Sequence, residues 1–178
     1  MNFDKKSGTL INNKIKYNYI LLDLYQFIKW IKNNKIIRQS IEHLISIFRN
    51  ENNFKIINLI SEAFNEKNTS NTYYFFIYKG NEIITSCRII INNKNIGYIN
   101  MVHTNIKYRN QGFCKINLSK LLQLLECNNL DKFILEVDKN NKHAINCYMA
   151  IGFLFDKINV KSPYYKMFLD ILDINKTT

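Results

Sequence analysis

Tyr108-Arg109-Asn110-Gln111-Gly112-Phe113-Cys114 and, further along, Leu135-Glu136-Val137 followed by Asn141, Ala144, Ile145, Tyr148 and Gly152-Phe153 are the two stretches on which the reading of this chain turns. Gly112 precedes Phe113, Ile116, Leu118, Leu121, Leu122 and Leu125, apolar positions spaced for one face of a helix. A glycine turn feeding a helix gathers unpaired backbone N–H groups at the positive end of the helix dipole. Arg109 adds a cation, so the loop is suited to a phosphate, although such a turn alone is also an ordinary surface turn. The second stretch is more specific. Lys132 to Val137 is nearly continuous in apolar residues and reads as a buried strand. Asn141 then caps a helix with Ala144, Cys147, Tyr148 and Ile151 inward, and Gly152 ends it. Asn141 and Tyr148 lie two helical turns apart, so an amide and a phenol face one cleft beside the strand end.

Working outward, Tyr73–Tyr78, Glu82–Ile91 and Ile96–His103 are aromatic and β-branched runs separated by short Gly/Asn turns, the pattern of three neighbouring antiparallel strands. Upstream, Lys16–Leu22 reads as the first strand after a loose polar opening. Asp23 caps a helix with Leu24, Phe27, Ile28 and Ile31 on one face. Two further stripes follow, Ile41, Leu44, Ile45, Phe48 and then Ile56, Ile57, Ile60, Ala63, Phe64. Two last strands, Phe153–Val160 and Tyr164–Leu172, flank a short turn at Lys161-Ser162-Pro163. The order strand, glycine turn, helix, strand, helix, strand predicts an α/β core with a parallel segment. The chain is expected to be one domain over 1–178, with a helical region in 1–50 and a core sheet in 73–172.

The chain has 178 residues, 47% of them apolar, which is enough for one well-filled core. No long uncharged apolar run and no apolar leader after the N-terminus is found, so no membrane is expected as a partner and a cytoplasmic location is the expectation. Cys87, Cys114, Cys127 and Cys147 lie far apart, as do His43, His103 and His143, so reduced cysteines and no metal are expected. A net charge of +11 and a pI near 9.5 would attract polyanions. Lys and Arg are nevertheless spread along the chain, in a sequence rich in Asn, Ile and Lys, so nucleic acid is not the expected partner.

The pattern RxxGxC before a helix, followed by LEVxxxNxxAIxxYxxxGF, resembles the acetyl-CoA-binding motifs of the GNAT acyltransferase superfamily, closest to its amino-terminal and ribosomal-protein acetyltransferase branch. The resemblance covers residues 98 to 153. It implies an α/β GNAT fold with a mixed, mostly antiparallel sheet of about seven strands, a splayed parallel pair, flanking helices and, here, extra N-terminal helices. It implies that acetyl-CoA inserts its pantetheine arm along Val102, His103 and Thr104. The pyrophosphate would lie on the amides of Asn110, Gln111, Gly112, Phe113 and Cys114 beside Arg109, with the cofactor arm near Asn141. Cys114 stands where the family usually has Gly or Ala, Thr104 where it has Val, and Ile106 where it has Pro.

Acetyl transfer needs a neutral amine, a polarised thioester carbonyl and a proton for the leaving thiolate. By the resemblance, Tyr148 is that proton donor and also touches the cofactor. Glu136 matches an acidic residue of the ribosomal-protein branch, and Tyr98 a tyrosine that serves the amine. Glu136, Tyr98 and His103 are the candidates for the base, and each is also readable as a plain strand residue. An α-amino group with pKa about 8 is easier to deprotonate than a lysine at about 10.4. A peptide or protein amine, terminal or lysine, is therefore the expected acceptor, with a small amine or polyamine as the alternative. A non-catalytic CoA-binding or basic nucleic-acid-binding module is the alternative of another class. A monomer or homodimer is expected.

Overall fold

The computed structural model describes residues 6–49, 55–65, 71–125, 129–156 and 161–171. Its strands are β1 (Lys6–Asn12), β2 (Ile15–Asp23), β3 (Thr72–Lys79), β4 (Glu82–Ile91), β5 (Ile96–Thr104), β6 (Lys132–Asp138), β7 (Leu154–Phe155) and β8 (Tyr164–Asp170). Its helices are α1 (Leu24–Asn33), α2 (Lys35–Arg49), α3 (Ile56–Asn65), α4 (Phe113–Leu125) and α5 (Lys142–Met149). One eight-stranded sheet runs in the order β1-β2-β3-β4-β5-β6-β8-β7. Every neighbouring pair is antiparallel except β5–β6.

Eight strands agree with the expected mixed, mostly antiparallel sheet of about seven and its one parallel pair. The opening read as loose is β1, paired residue for residue with β2 from Lys6↔Leu21 to Asn12↔Ile15. Its turn places Asn13 and Lys14 both at positive φ, 49° and 64°, which is the twist a two-residue hairpin loop requires. Leu10 is its main apolar anchor, packed against the larger core. A strand with so little apolar pattern, closed by Asn-Lys rather than Asn-Gly, carries little local signal.

The run Tyr73–Tyr78 explains why two cores form. Alternation along β3 sends Tyr73, Phe75 and Ile77 into one cluster, and Tyr74, Phe76 and Tyr78 into the other. Beneath the first face lie α4 and α5, through Phe113, Leu118, Leu121 and Tyr148. Over the second lie α1 to α3, through Leu24, Phe27, Ile31, Ile41 and Ile56. Phe27 stacks on Tyr74 and Phe76 at 4.3 and 5.6 Å. Asp23 starts α1 with a reciprocal capping box: its Oδ1 accepts from Gln26 N at 2.7 Å, and Gln26 Oε1 accepts from Asp23 N at 3.2 Å. In α3 the expectation fails at Ile57, which is 59% exposed. The helix turns Ile56 inward, and its neighbour one residue on must face away. The side chains of Phe48, Ala63 and Phe64 lie outside those described.

Near the C-terminus the described part of β7 is Leu154–Phe155, paired with β8, and Asp156 N donates to Lys166 O at 2.9 Å; residues 157–160 of the expected strand, and Leu172 of the next, lie outside the described residues. No helix among the described residues is long and apolar enough to cross a membrane.

Beside the parallel pair, core side chains fill the space of a missing one. β5 and β6 pair at four positions, from Ile96↔Lys132 to Ile99↔Leu135. A Cβ on Gly97 would come within 2.8 Å of Ile89 Cδ1 and 2.9 Å of Phe133 Cδ1. Gly97→Ala is therefore expected to destabilise the protein by about 1–3 kcal/mol through overpacking. Urea unfolding checks this, and an unchanged midpoint would show that the Ile89 and Phe133 side chains give way freely.

Candidate active site

Beyond Ile99↔Leu135 the partners part: β5 stays on β4, and β6 continues only with β8. The parting coincides with a bulge in β5. Met101 has φ 52°, and the register slips so that Met101 and Val102 together oppose Cys87. The slip resets the alternation and turns His103 to the face that carries Tyr98. There His103 is 4% exposed, its Nδ1 lies 3.3 Å from Ser86 Oγ, and its carbonyl accepts a hydrogen bond from the Thr85 hydroxyl. It is a packed residue on the β4 side. Val102 lies against the larger core and Thr104 pairs with Thr85.

The chain then makes one 3-10 turn over Ile106–Tyr108, with Asn105 as its cap. Asn110 and Gly112 follow in the left-handed region at φ 60° and 78°. Gly112 O accepts the first helical bond of α4 from Ile116 N at 3.0 Å, which leaves the N–H groups of the first turn without intrahelical acceptors. A Cβ on Gly112 would meet nothing within 4 Å, so the space in front of the loop is open, and the backbone angle rather than crowding calls for glycine. Arg109 is exposed, and its Nε donates to Thr104 O at 3.3 Å, beside the end of β5. Gln111 Nε2 donates back to Lys107 O, and Gln111 O accepts from Asn12 Nδ2 at 3.2 Å, a contact supplied by the β1 hairpin. Phe113 is buried edge-on between Tyr17 and Tyr108, at 5.0 and 5.9 Å, and fixes where α4 begins. The geometry suits an anion at residues 110–114.

Cys114 and Cys147 form a disulfide, with Cα atoms 6.4 Å apart, which overturns the expectation of reduced cysteines. A separation of 33 residues hid the pairing, because only the packing of α5 against α4 brings the two together. The bond ties the first turn of α4 to the residue before Tyr148. Cys87 is a buried free thiol, and Cys127 lies outside the described residues.

Tyr148 is 6% exposed within the larger core, its ring 6.1 Å from Phe153. Burial, and secondarily Cys87, lifts its pKa from 10.0 to about 12, so the phenol stays protonated. Asn141 caps α5, with its Oδ1 accepting from Ala144 N at 3.1 Å. Glu136 and Tyr98 occupy the other face of the sheet. Tyr98 pairs with Ile134, and Glu136 lies two residues beyond Ile134, so both side chains leave the sheet on the side of α1 to α3. Both are exposed, and Glu136 lies opposite Lys166, which in turn is 3.7 Å from Asp156. Tyr148 thus lies in the core on one face of the sheet, and Glu136 and Tyr98 stand on the other. No group of three His, Cys, Asp or Glu that could hold a metal occurs among the described residues.

A sequence profile described as the Acetyltransferase (GNAT) family matches residues 38–153. The chain is 28% identical over 116 residues to N-alpha-acetyltransferase 30 of Xenopus laevis; the match covers 57% of this chain and 42% of that protein, so the chain spans about two fifths of the length of this curated relative. Among solved structures it resembles a chimeric spermidine N-acetyltransferase from Vibrio cholerae SpeG and hSSAT, with TM-score 0.62, 15% identity and coverage of 78% and 92% of the two chains. It also resembles a PaiA N-acetyltransferase of Thermoplasma acidophilum in complex with coenzyme A, with TM-score 0.57, 13% identity and coverage of 85% and 98%.

Two outcomes are expected from this geometry. Reducing the Cys114–Cys147 bond, or making Cys147→Ser, frees a loop of 33 residues; a loss of about 4 kcal/mol follows from loop entropy. Thermal unfolding with and without dithiothreitol measures it, and equal midpoints would show that the bond does not constrain the chain. For Tyr148 the folded pKa lies above the unfolded value, so its contribution is intact below pH 10.0 and is lost as pH rises toward about 12. Tyr148→Phe should reduce the alkaline loss of stability without abolishing it, since Tyr73 and Tyr108 are also raised to about 12. Urea midpoints across that pH window give the comparison.

Proposed function

The chain belongs to the acetyltransferase (GNAT) family, and from that premise we propose that it transfers an acetyl group from acetyl-CoA to a primary amine. The observation that carries this is the parting of β5 and β6, with the left-handed Asn110 and Gly112 leading into α4 at one end and a buried, protonated Tyr148 beneath it. We read residues 1–178 as one transferase domain and, because acetyl-CoA is an intracellular metabolite, place it in the cytoplasm. In this reading Arg109 and the amides of Asn110, Gln111, Gly112, Phe113 and Cys114 hold the pyrophosphate. The bulged backbone of Val102, His103 and Thr104 lines the pantetheine, and Asn141 lies beside it.

The acceptor approaches from the face of Glu136 and Tyr98. Its ammonium gives up a proton to solvent, and the neutral nitrogen attacks the thioester carbonyl carbon. As the C–N bond forms and the C–S bond breaks, Glu136 takes the second proton from nitrogen, directly or through water. Tyr148 gives its phenolic proton to the thiolate and recovers one from solvent, to which Glu136 releases its own, so the products are the N-acetyl amine and the free thiol. Tyr98 borders the path of the amine. His103, packed against Ser86, is left as a structural residue.

For the acceptor we favour an amino terminus of a peptide or protein, then a lysine. Support comes from the amino-terminal acetyltransferase among its relatives and from the lower pKa of an α-amine. A net charge of +11 opposes polyamines. The likeness to a spermidine acetyltransferase keeps a small amine as the second reading.

Calorimetric titration with acetyl-CoA tests the cofactor site. Saturable micromolar binding is expected, weakened by Gly112→Val because a β-branched residue resists φ 78°. No binding by folded protein would sink the proposal. Once an acceptor is in hand, Tyr148→Phe should lower kcat by about 10²-fold or more while acetyl-CoA affinity persists. Unchanged turnover would remove Tyr148 from the mechanism.

A further inference from the structure

We propose that Glu82 is the positioning residue of the cofactor loop, a role that rests on reading that loop as the acetyl-CoA site. Glu82 opens β4, immediately after the Gly80-Asn81 turn, far in sequence from residues 105–112. Its carboxylate nevertheless meets three side chains within four residues of that loop. Tyr108 donates its hydroxyl proton to Glu82 Oε2 at 2.8 Å, Asn105 Nδ2 donates to Oε1 at 3.4 Å, and Lys107 Nζ lies 3.5 Å from Oε1. Asn105 is also stitched to the next residues of β4: its Nδ2 donates to Ile83 O at 3.3 Å and its backbone N–H to Ile84 O at 2.9 Å.

These contacts are unequal. The Lys107 pair is largely in water, with 74% of the lysine side chain exposed, and such pairs contribute little. The bond from Tyr108 is short, charge-assisted and partly buried, and it is the one that counts. Burial and Glu82 lift the Tyr108 pKa to about 12, so the phenol remains a donor. The same ring meets Phe113, the first residue of α4, edge-on, and Tyr108 directly precedes Arg109. Fixing Tyr108 therefore fixes both ends of the turn that presents Arg109 and the N–H groups of residues 110–114. Glu82 itself is an anion and would repel a pyrophosphate, so its part is to hold the loop, not to touch the ligand.

The test compares wild type, Glu82→Ala, Glu82→Gln and Tyr108→Phe for acetyl-CoA binding by calorimetry. Circular dichroism and thermal unfolding establish that each variant is folded. Losing a charge-assisted bond should weaken acetyl-CoA binding about tenfold in Glu82→Ala and in Tyr108→Phe, with no further loss when the two are combined. Glu82→Gln, which can still accept from Tyr108, should recover to within about threefold of wild type. In turnover assays the KM for acetyl-CoA should rise while kcat and the acceptor KM stay within about twofold. Tryptic cleavage after Lys107 and Arg109 should also accelerate about tenfold in Glu82→Ala, a readout that needs no ligand. Binding by the wild type with equal binding by Glu82→Ala and Tyr108→Phe overturns the role of Glu82 alone. Absence of binding by the wild type overturns the cofactor-site reading and this role with it, even if the proteolysis shows the loop loosened.

Discussion

A parallel pair that must be bonded at one end and open at the other is the constraint around which the rest is arranged. Four residue pairs between β5 and β6 close the sheet, and Gly97 lets the core side chains Ile89 and Phe133 fill the space a side chain would take there. Past that zip β5 keeps β4 and β6 keeps β8 on their outer edges, as they do along the zip itself, while the edges that face the gap have no strand beside them among the described residues. Backbone N–H and C=O groups on those edges are therefore left for something other than the sheet to satisfy.

The two faces of the sheet take different work. One is packed against α4, which follows the glycine turn, and α5, which carries Tyr148; the two helices are fastened to each other by the Cys114–Cys147 bond. The other is covered by α1 to α3 over β2, β3 and β4, with Glu136 and Tyr98 left exposed beyond them. A phenol whose pKa is raised by burial belongs on the dry side. The placement of the two candidate proton carriers follows from which face the helices seal.

What could be read from the chain was whatever is local. The caps at Asp23 and Asn141, the helix after Gly112 and the meander β3–β4–β5 each rest on residues within a few positions of one another, and spacing reveals them. The spacing of Glu136, Asn141 and Tyr148 was equally legible, because one strand and the following helix carry all three. Features made by distant residues were not. β1 shows no apolar alternation until its partner is known. The Cys114–Cys147 bond depends on how two helices cross, and the contacts of Glu82 with Tyr108 and Asn105 depend on two turns meeting at one edge of the sheet. His103 shows the same limit: its direction follows from a bulge that no residue in 98–104 announces.

β8 lies between β6 and β7, although both come before it in the chain. On the ribosome the first five strands can close as successive neighbours while their helices fold over them. β6 then has only its short parallel seam with β5, and β7 has no partner until residues 164–170 emerge. The cleft is consequently finished last during synthesis. Until then β6 waits as an unprotected edge, open to capture by a chaperone or to pairing with a neighbour on the same messenger.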